Sequence, residues 1–164
     1  MHLEETILGA DGESIYRCSW IPEGELRGQL TLLHGYAEHC HRYATLISAL
    51  NDAGIAVFAL DHKGHGRSQG RRSYITAFRS LLPDAVSTLR WAAEQAPDVP
   101  RFLFGHSMGG ALATLLAMEH EELVDYLILS APAVKISEDI SPLLQKVSGI
   151  LGTLLPVLPV AKLD

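Results

Sequence analysis

Residues 102–110 read FLFGHSMGG, an apolar run that leads straight into a glycine-rich turn. Gly105, Ser107 and Gly109 form the G-x-S-x-G pattern of a nucleophile elbow, a sharp turn between a strand and a helix. Such a turn holds its serine in a sparsely populated backbone conformation, and it needs small residues on either side because strand and helix nearly touch. With a helix expected over residues 111–120, the pattern predicts that Ser107 is a nucleophile rather than a capping serine.

Strand-like and helix-like segments alternate on both sides of this turn. Residues 3–8 and 14–20 flank an Asp-Gly turn and are predicted to pair as a hairpin. Four short apolar runs are typical of buried parallel strands: residues 29–33, 55–60, 101–104 and 123–130. Apolar residues at steps of three and four predict helices over residues 42–52 and 78–96. The pattern predicts an α/β fold, a doubly wound and mostly parallel sheet with an N-terminal antiparallel hairpin.

The composition narrows the class of protein. The chain has 164 residues, of which 48% are hydrophobic and 20% are charged, as in an ordinary globular domain. Its net charge of -6 argues against nucleic acid as a partner. The N-terminus has no basic segment followed by an apolar one, so we expect a cytoplasmic protein without a signal peptide. Cys18 and Cys40 are expected to be unpaired thiols, and the histidine spacing fits no usual metal site.

Polar residues follow four of the predicted strands, at the sheet edge where ligands bind in this architecture. They are His34, Asp61, Ser107 and Ser130. An oxyanion hole needs two backbone N–H donors, one of them from the residue after the nucleophile, which is Met108. The second donor is expected from the loop after residues 29–33, at Tyr36. Such a donor typically stabilises the transition state by about 3 kcal/mol.

The general base and its carboxylate are harder to find. On this architecture they follow the serine in the chain, and His120 is the only later histidine. A helix would place His120 about 20 Å from Ser107, and the adjacent His106 is expected to point elsewhere. We therefore expect the triad Asp and His, and the closing strands of the sheet, to lie outside these 164 residues. The chain alone is then expected to be inactive and to self-associate through its uncovered edge.

The last stretch differs from the rest. Residues 137–164 are rich in leucine and valine but are interrupted by glycine and proline. The uncharged run over residues 147–161 is shorter than the ~20 residues that a membrane span needs. We favour an apolar cap over the active-site edge, with a core helix and a membrane span as alternatives. The predicted organisation is therefore a core over residues 1–131 and the start of a cap, or lid, over residues 132–164.

Three motifs carry a family resemblance: HGYAEH at residues 34–39 with Arg42 and Tyr43, DHKGHGRS at residues 61–68, and GHSMGG at residues 105–110. In this order and spacing, the chain from about residue 3 onward resembles monoacylglycerol lipases and lysophospholipase-like α/β-hydrolases of the serine aminopeptidase S33 family. The resemblance implies hydrolysis of a monoacyl lipid or similar small ester without a cofactor. It also implies transient contact of the cap with a membrane surface. The residues implied to support the oxyanion loop are His34, Gly35, Glu38, His39, Arg42 and Asp61.

Two classes of function remain open at this stage. The first is an ester hydrolase that works through an acyl-serine intermediate, with peptidase, thioesterase and acyltransferase as variants of the same chemistry. The second is a non-catalytic binding or scaffold protein that keeps the fold without a complete triad. Arg67, Arg71 and Arg72 are expected to form a solvated loop, with a site for an anionic headgroup as the alternative.

Overall fold

A six-stranded mixed sheet is the central layer of the computed structural model, which describes residues 1–134. The strands are β1 (His2–Leu8), β2 (Ser14–Trp20), β3 (Gly28–Leu33), β4 (Ile55–Leu60), β5 (Arg101–His106) and β6 (Tyr126–Ser130). Their order across the sheet is β1-β2-β4-β3-β5-β6. β1 and β2 form the predicted antiparallel hairpin, β2 runs antiparallel to β4, and β4, β3, β5 and β6 are mutually parallel. The predicted fold class is therefore confirmed.

Helices cover both faces of the sheet. They are α1 (Ala44–Asp52), α2 (Leu82–Gln95) and α3 (Met108–Glu119), with short 3-10 helices at Cys40–Tyr43, Phe78–Leu81 and Glu121–Leu123. Ile47 of α1 packs on one face against Leu30 and Leu32 of β3. α2 and α3 pack together on the other face, where Leu33 and Leu103 contribute to the same core. Alternate residues of the central strands therefore serve two cores, which explains their continuous apolar sequence.

Several predicted boundaries shift in the structure. α3 begins at Met108, three residues before the predicted start. The elbow serine, Ser107, is the N-cap of the helix, so the glycines that follow it are already helical. The last strand begins at Tyr126 rather than at residue 123, because the chain first forms the 3-10 helix Glu121–Leu123. Both predicted amphipathic helices open with a 3-10 turn, and Pro83 lies in the first turn of α2, where its missing N–H costs no hydrogen bond.

Apolar side chains remain exposed on the last described strand. Tyr126 is 56% exposed, and Leu127, Ile128 and Leu129 are each about 40% exposed. Met118, on the outer side of α3, is 76% exposed. Within residues 1–134, β6 is therefore an apolar strand at one edge of the sheet. Residues 135–164, and with them nearly all of the predicted cap and its membrane contact, lie outside the described residues. No helix within residues 1–134 is long and apolar enough to cross a bilayer.

Candidate active site

Ser107 follows the end of strand β5, between β3 and β6, in a strained backbone conformation. Its φ is 51° and its ψ is -116°, a region that non-glycine residues rarely occupy. Three hydrogen bonds hold it there. Its N–H donates to the Ser130 carbonyl at 3.0 Å, and its carbonyl accepts from the N–H groups of Ala111 at 3.1 Å and Ala133 at 2.9 Å. Strain of this kind, typically about 1–3 kcal/mol, persists only where the surroundings over-determine it.

The glycines of the elbow allow strand, turn and helix to touch. A Cβ atom on Gly105 would lie 2.3 Å from the Gly109 carbonyl oxygen. A Cβ atom on Gly109 would lie only 2.1 Å from the carbonyl oxygen of Leu33, at the end of β3. Real Cβ atoms do not approach backbone this closely, so both positions require glycine. The elbow is therefore packed directly against the end of the neighbouring strand.

No histidine within residues 1–134 is hydrogen-bonded to Ser107. The Ser107 hydroxyl has no hydrogen-bond partner in this part of the chain. The His106 ring is engaged instead with the Ser130 hydroxyl, with 3.0 Å between Nδ1 and Oγ. His120 lies at the far end of α3, 3.7 Å from Glu122. Neither the His106 imidazole nor the His120 imidazole is therefore placed to take the proton of the Ser107 hydroxyl.

Residues 34–39, which are predicted to carry an oxyanion donor and are named the oxyanion loop for that reason, leave β3 beside Ser107. A Cβ atom on Gly35 would lie 3.4 Å from Cβ of Ser107, which shows how closely the loop approaches. Neither the Tyr36 N–H nor the Met108 N–H donates a hydrogen bond within residues 1–134. Met108 is the first residue of α3, where backbone N–H groups are free and the helix dipole favours negative charge. Both predicted oxyanion donors are therefore available on either side of the elbow.

Glu38 folds the oxyanion loop back on itself. Its Oε2 accepts hydrogen bonds from the Gly35 N–H at 3.0 Å and from the Tyr43 hydroxyl at 2.7 Å. Arg42, whose side chain is 61% exposed, is an ion-pair partner at 3.6 Å. Burial pushes the pKa of Glu38 up, but the bonds from Tyr43 and Gly35 outweigh it, so its pKa is lowered. The charged Glu38 carboxylate thus joins Gly35, near the start of the loop, to Tyr43 in the 3-10 helix that follows it.

Asp61 joins the loop after β4 to the segment that follows the oxyanion loop. It is fully buried, and its Oδ1 accepts from the Cys40 N–H while its Oδ2 accepts from the Arg67 N–H, both at 2.8 Å. Gly66 makes this possible, since a Cβ atom there would lie 2.0 Å from the Asp61 carboxylate. A carboxylate bonded by two backbone N–H groups fixes the relative position of two loops.

Three buried histidines lie behind the oxyanion loop: His34, His62 and His65. His34 Nε2 accepts the His62 N–H at 2.9 Å, so its Nδ1–H donates to the Gly35 carbonyl at 2.7 Å. The His34 and His62 rings lie 4.3 Å apart, and neither ring nitrogen of His62 has a partner within residues 1–134. Burial lowers the pKa of His34 to about 4 and lowers the pKa of His62 well below its usual value. Both rings are therefore neutral at pH 7.

Acid is expected to destabilise the fold through His34 and His62, whose pKa values are lowered by burial. In the unfolded chain they titrate near pH 6.5, so below that pH the unfolded state binds more protons, and for His34 this difference persists down to about pH 4. Stability is therefore complete above pH 6.5 and is lost as the pH falls through this window. Replacing His62 with leucine removes one such group without removing a hydrogen bond. Between pH 7 and pH 5 the variant should therefore lose less unfolding free energy than the original protein.

Urea unfolding at the two pH values measures this difference. The same substitution at His39, which is exposed, is the matched control and should leave the pH dependence unchanged. A His62→Leu variant with the same loss as the original protein would show that His62 is protonated in the folded state.

The other residues expected to support the oxyanion loop are placed unevenly. His34 and Glu38 are both hydrogen-bonded to Gly35, whereas Asp61 binds the Cys40 N–H after the oxyanion loop. His39 is exposed, and its nearest aromatic neighbour is the His41 ring, 6.3 Å away. Tyr43 and Ser130 contribute bonds that no local sequence pattern predicts, because their partners lie on other elements. The role of Gly66 is different, because its glycine-rich loop is a local sequence signal that the backbone passes close to another group, here the Asp61 carboxylate.

A mostly parallel sheet with a serine elbow at the end of β5, flanked by a glycine-containing loop from the neighbouring strand β3, defines an α/β-hydrolase. The family model described as "Serine aminopeptidase, S33" matches residues 24–164. The chain belongs to this family.

Several relatives of the chain are lipases. The chain is 37% identical to a monoacylglycerol lipase of Mycolicibacterium smegmatis over 161 residues, which cover 98% of this chain and 58% of that protein. It is 34% identical to a mouse monoglyceride lipase over 96% of this chain and 52% of that protein. A crystal structure of a Paleococcus ferrophilus monoacylglycerol lipase superposes with a TM-score of 0.74 and 32% identity, over 92% of this chain and 56% of that one. The resemblance is confirmed, and the chain spans about half the length of these relatives.

Proposed function

We propose that this protein is a serine ester hydrolase that cleaves monoacylglycerols or similar monoacyl esters. The observation that carries the proposal is the strained Ser107, with two unengaged backbone N–H groups beside it at Tyr36 and Met108. Relatives that are monoacylglycerol lipases support the substrate class.

The chemistry follows from these positions. The Ser107 hydroxyl attacks the ester carbonyl, and the tetrahedral oxyanion accepts hydrogen bonds from the Tyr36 and Met108 N–H groups. The intermediate collapses, the bond to the glycerol oxygen breaks, and a water molecule then hydrolyses the acyl-serine. A general base must take the serine proton and pass it to the leaving alcohol. Because no histidine follows His120 in the sequence, this base and its carboxylate are proposed to come from outside the 164 residues.

A substrate panel tests the proposal with the complete gene product. Monoacylglycerols and lysophospholipids of several chain lengths are compared with an aminoacyl arylamide and an acyl thioester, and released fatty acid or amine is measured. We expect the highest kcat/KM on a monoacyl ester. Faster cleavage of the arylamide or the thioester would reassign the substrate class. A folded protein that binds monoacylglycerol but turns over none of these compounds would favour the non-catalytic scaffold.

Glu38 is expected to control the oxyanion loop, so its loss should slow the chemistry rather than weaken binding. Replacing Glu38 with alanine leaves the Gly35 N–H and the Tyr43 hydroxyl without their shared acceptor and frees the loop that carries the Tyr36 N–H. We expect kcat to fall about tenfold to a hundredfold with little change in KM. Steady-state kinetics of the complete gene product on its best ester measure this.

Two further variants test whether the acceptor oxygen of Glu38, rather than its ion pair with Arg42, accounts for the effect on kcat. Glu38→Gln keeps an oxygen acceptor and should recover much of the lost kcat. Arg42→Ala removes only an exposed partner 3.6 Å away and should change kcat less than about twofold. A Glu38→Ala variant with unchanged kcat would show that Glu38 does not control the oxyanion loop.

We also propose that the 164-residue chain by itself self-associates through β6, whose side chains are exposed. A twisted sheet that ends on an apolar strand offers unpaired backbone groups to another copy. Light scattering at tens of micromolar is expected to show dimers or larger species, which Leu127→Lys should reduce. A monodisperse monomer at that concentration would contradict this proposal.

A further inference from the structure

Two cysteines from different elements meet in the core beside the oxyanion loop. Cys18 lies on β2 and Cys40 begins the 3-10 helix Cys40–Tyr43, which follows the loop. Both side chains are fully buried, both are free thiols, and their sulfur atoms lie 3.4 Å apart. The two residues are 22 positions apart in the sequence.

We propose that Cys18 and Cys40 are an oxidisable pair that forms an intramolecular disulfide when the protein meets a low-molecular-weight disulfide such as oxidised glutathione. One cysteine thiolate attacks a sulfur of the oxidant and expels one glutathione thiolate, which leaves a mixed disulfide. The second cysteine thiolate attacks the protein sulfur of that bond and expels the other glutathione. The protein loses two protons and two electrons, and the oxidant leaves as two thiols.

The geometry favours closure of this bond. A disulfide has its sulfur atoms about 2.05 Å apart, so the 3.4 Å contact between the two sulfur atoms must shorten by roughly 1.4 Å for the bond to form. The two elements already face each other, because Cys40 is held from the other side by its N–H bond to Asp61 Oδ1 at 2.8 Å. The bond would join β2 to the segment that supports the oxyanion loop.

The alternative to a disulfide is a metal ion bound between the two cysteines. The ligand atoms of Cys18, Cys40 and His41 lie within 4.8 Å of one another. His41 Nε2, however, is already hydrogen-bonded to the Tyr16 hydroxyl at 2.8 Å. With Zn–S bonds of about 2.3 Å, two thiolates on a tetrahedral zinc stand roughly 3.8 Å apart, wider than the contact seen here. The observations therefore favour the disulfide.

The burial of both thiols determines in which state of the protein the disulfide forms fastest. The hydrogen bond with Cys18, together with burial, raises the pKa of the Cys40 thiol, so the reactive thiolate is scarce in the folded protein. The oxidant also has no direct path to side chains that are fully buried. Oxidation should therefore be at least about tenfold faster during refolding than in the native state, where it waits for local opening.

The test uses the complete gene product, refolded from urea with either oxidised or reduced glutathione, then alkylated and mapped by mass spectrometry. We expect a peptide pair cross-linked through Cys18 and Cys40 only in the oxidised sample. We also expect a Tm roughly 5 °C or more above that of the reduced sample. Cys18→Ser and Cys40→Ser are the matched controls, and neither should show this difference in Tm.

Three results would overturn the proposal. The first is full alkylation of both cysteines after oxidative refolding. The second is a cross-linked protein whose Tm lies below that of the reduced form, because the bond would then strain the fold. The third is stoichiometric zinc in the purified protein that is lost in both serine variants, which would assign the pair to a metal.

Discussion

Replacing Ser107 with alanine is expected to lower kcat for ester hydrolysis by the complete gene product at least about 10⁴-fold. The acyl-enzyme cannot form without the hydroxyl, and only transition-state binding by the Tyr36 and Met108 N–H groups remains. Alanine has nearly the same steric demand as serine at a φ of 51°, so the elbow should keep its shape. Fatty-acid release from the preferred monoacyl ester measures the loss, with circular dichroism to verify folding.

Ser130→Ala is the matched control for that experiment. It removes the same hydroxyl from a serine next to the elbow, whose Oγ contacts His106, but it keeps the backbone carbonyl that accepts the Ser107 N–H. Its kcat should fall less than about tenfold. A folded Ser107→Ala variant that keeps more than about a tenth of the original kcat would show that another residue is the nucleophile.

Replacing Gly109 with alanine is expected to cost at least about 3 kcal/mol of unfolding free energy, or to prevent folding altogether. The new methyl group would lie 2.1 Å from the Leu33 carbonyl oxygen and 2.5 Å from that of His34. Both obstacles are backbone atoms, so α3 must move away from β3 and open the core between them. Urea unfolding of the soluble protein, or its yield where none is soluble, measures the effect.

Gly12→Ala is the contrasting variant. A Cβ atom there meets nothing within 4 Å, but the residue has a φ of 86° in the hairpin turn. It should therefore cost only about 1 kcal/mol, from backbone strain alone. If Gly109→Ala unfolds within about 1 kcal/mol of the original protein, the close packing of elbow and strand described here is wrong.

The elements near the elbow were predictable because their signals are local. A parallel strand buried on both faces leaves an unbroken apolar run, so residues 55–60 were predicted to the residue. The start of α3 was missed because its first residues are also the elbow, and glycines at 109 and 110 argue against a helix interior. Leu123 and Val124 are apolar like the strand that follows, but Leu123 belongs to the 3-10 helix Glu121–Leu123.

The bonds that join separate elements could not be predicted in the same way. The resemblance named Glu38 and Asp61, but their partners Tyr43, Cys40 and Arg67 follow from loop conformations that no periodicity encodes. His34 pairs with the backbone of His62, 28 residues later, because two strand ends meet at one edge of the sheet. Cys18 and Cys40 meet for a similar reason, since the antiparallel pairing of β2 with β4 decides which side chains face the segment after the oxyanion loop.

Covalent labelling shows whether Ser107 is an activated nucleophile. The complete gene product is treated with a fluorophosphonate, and adducts are located by intact mass and peptide mapping, with heat-denatured protein and Ser107→Ala alongside. We expect one adduct per chain, on Ser107, that is absent from both controls. A folded protein that takes up no label, or one that is labelled equally in the Ser107→Ala variant, would contradict it.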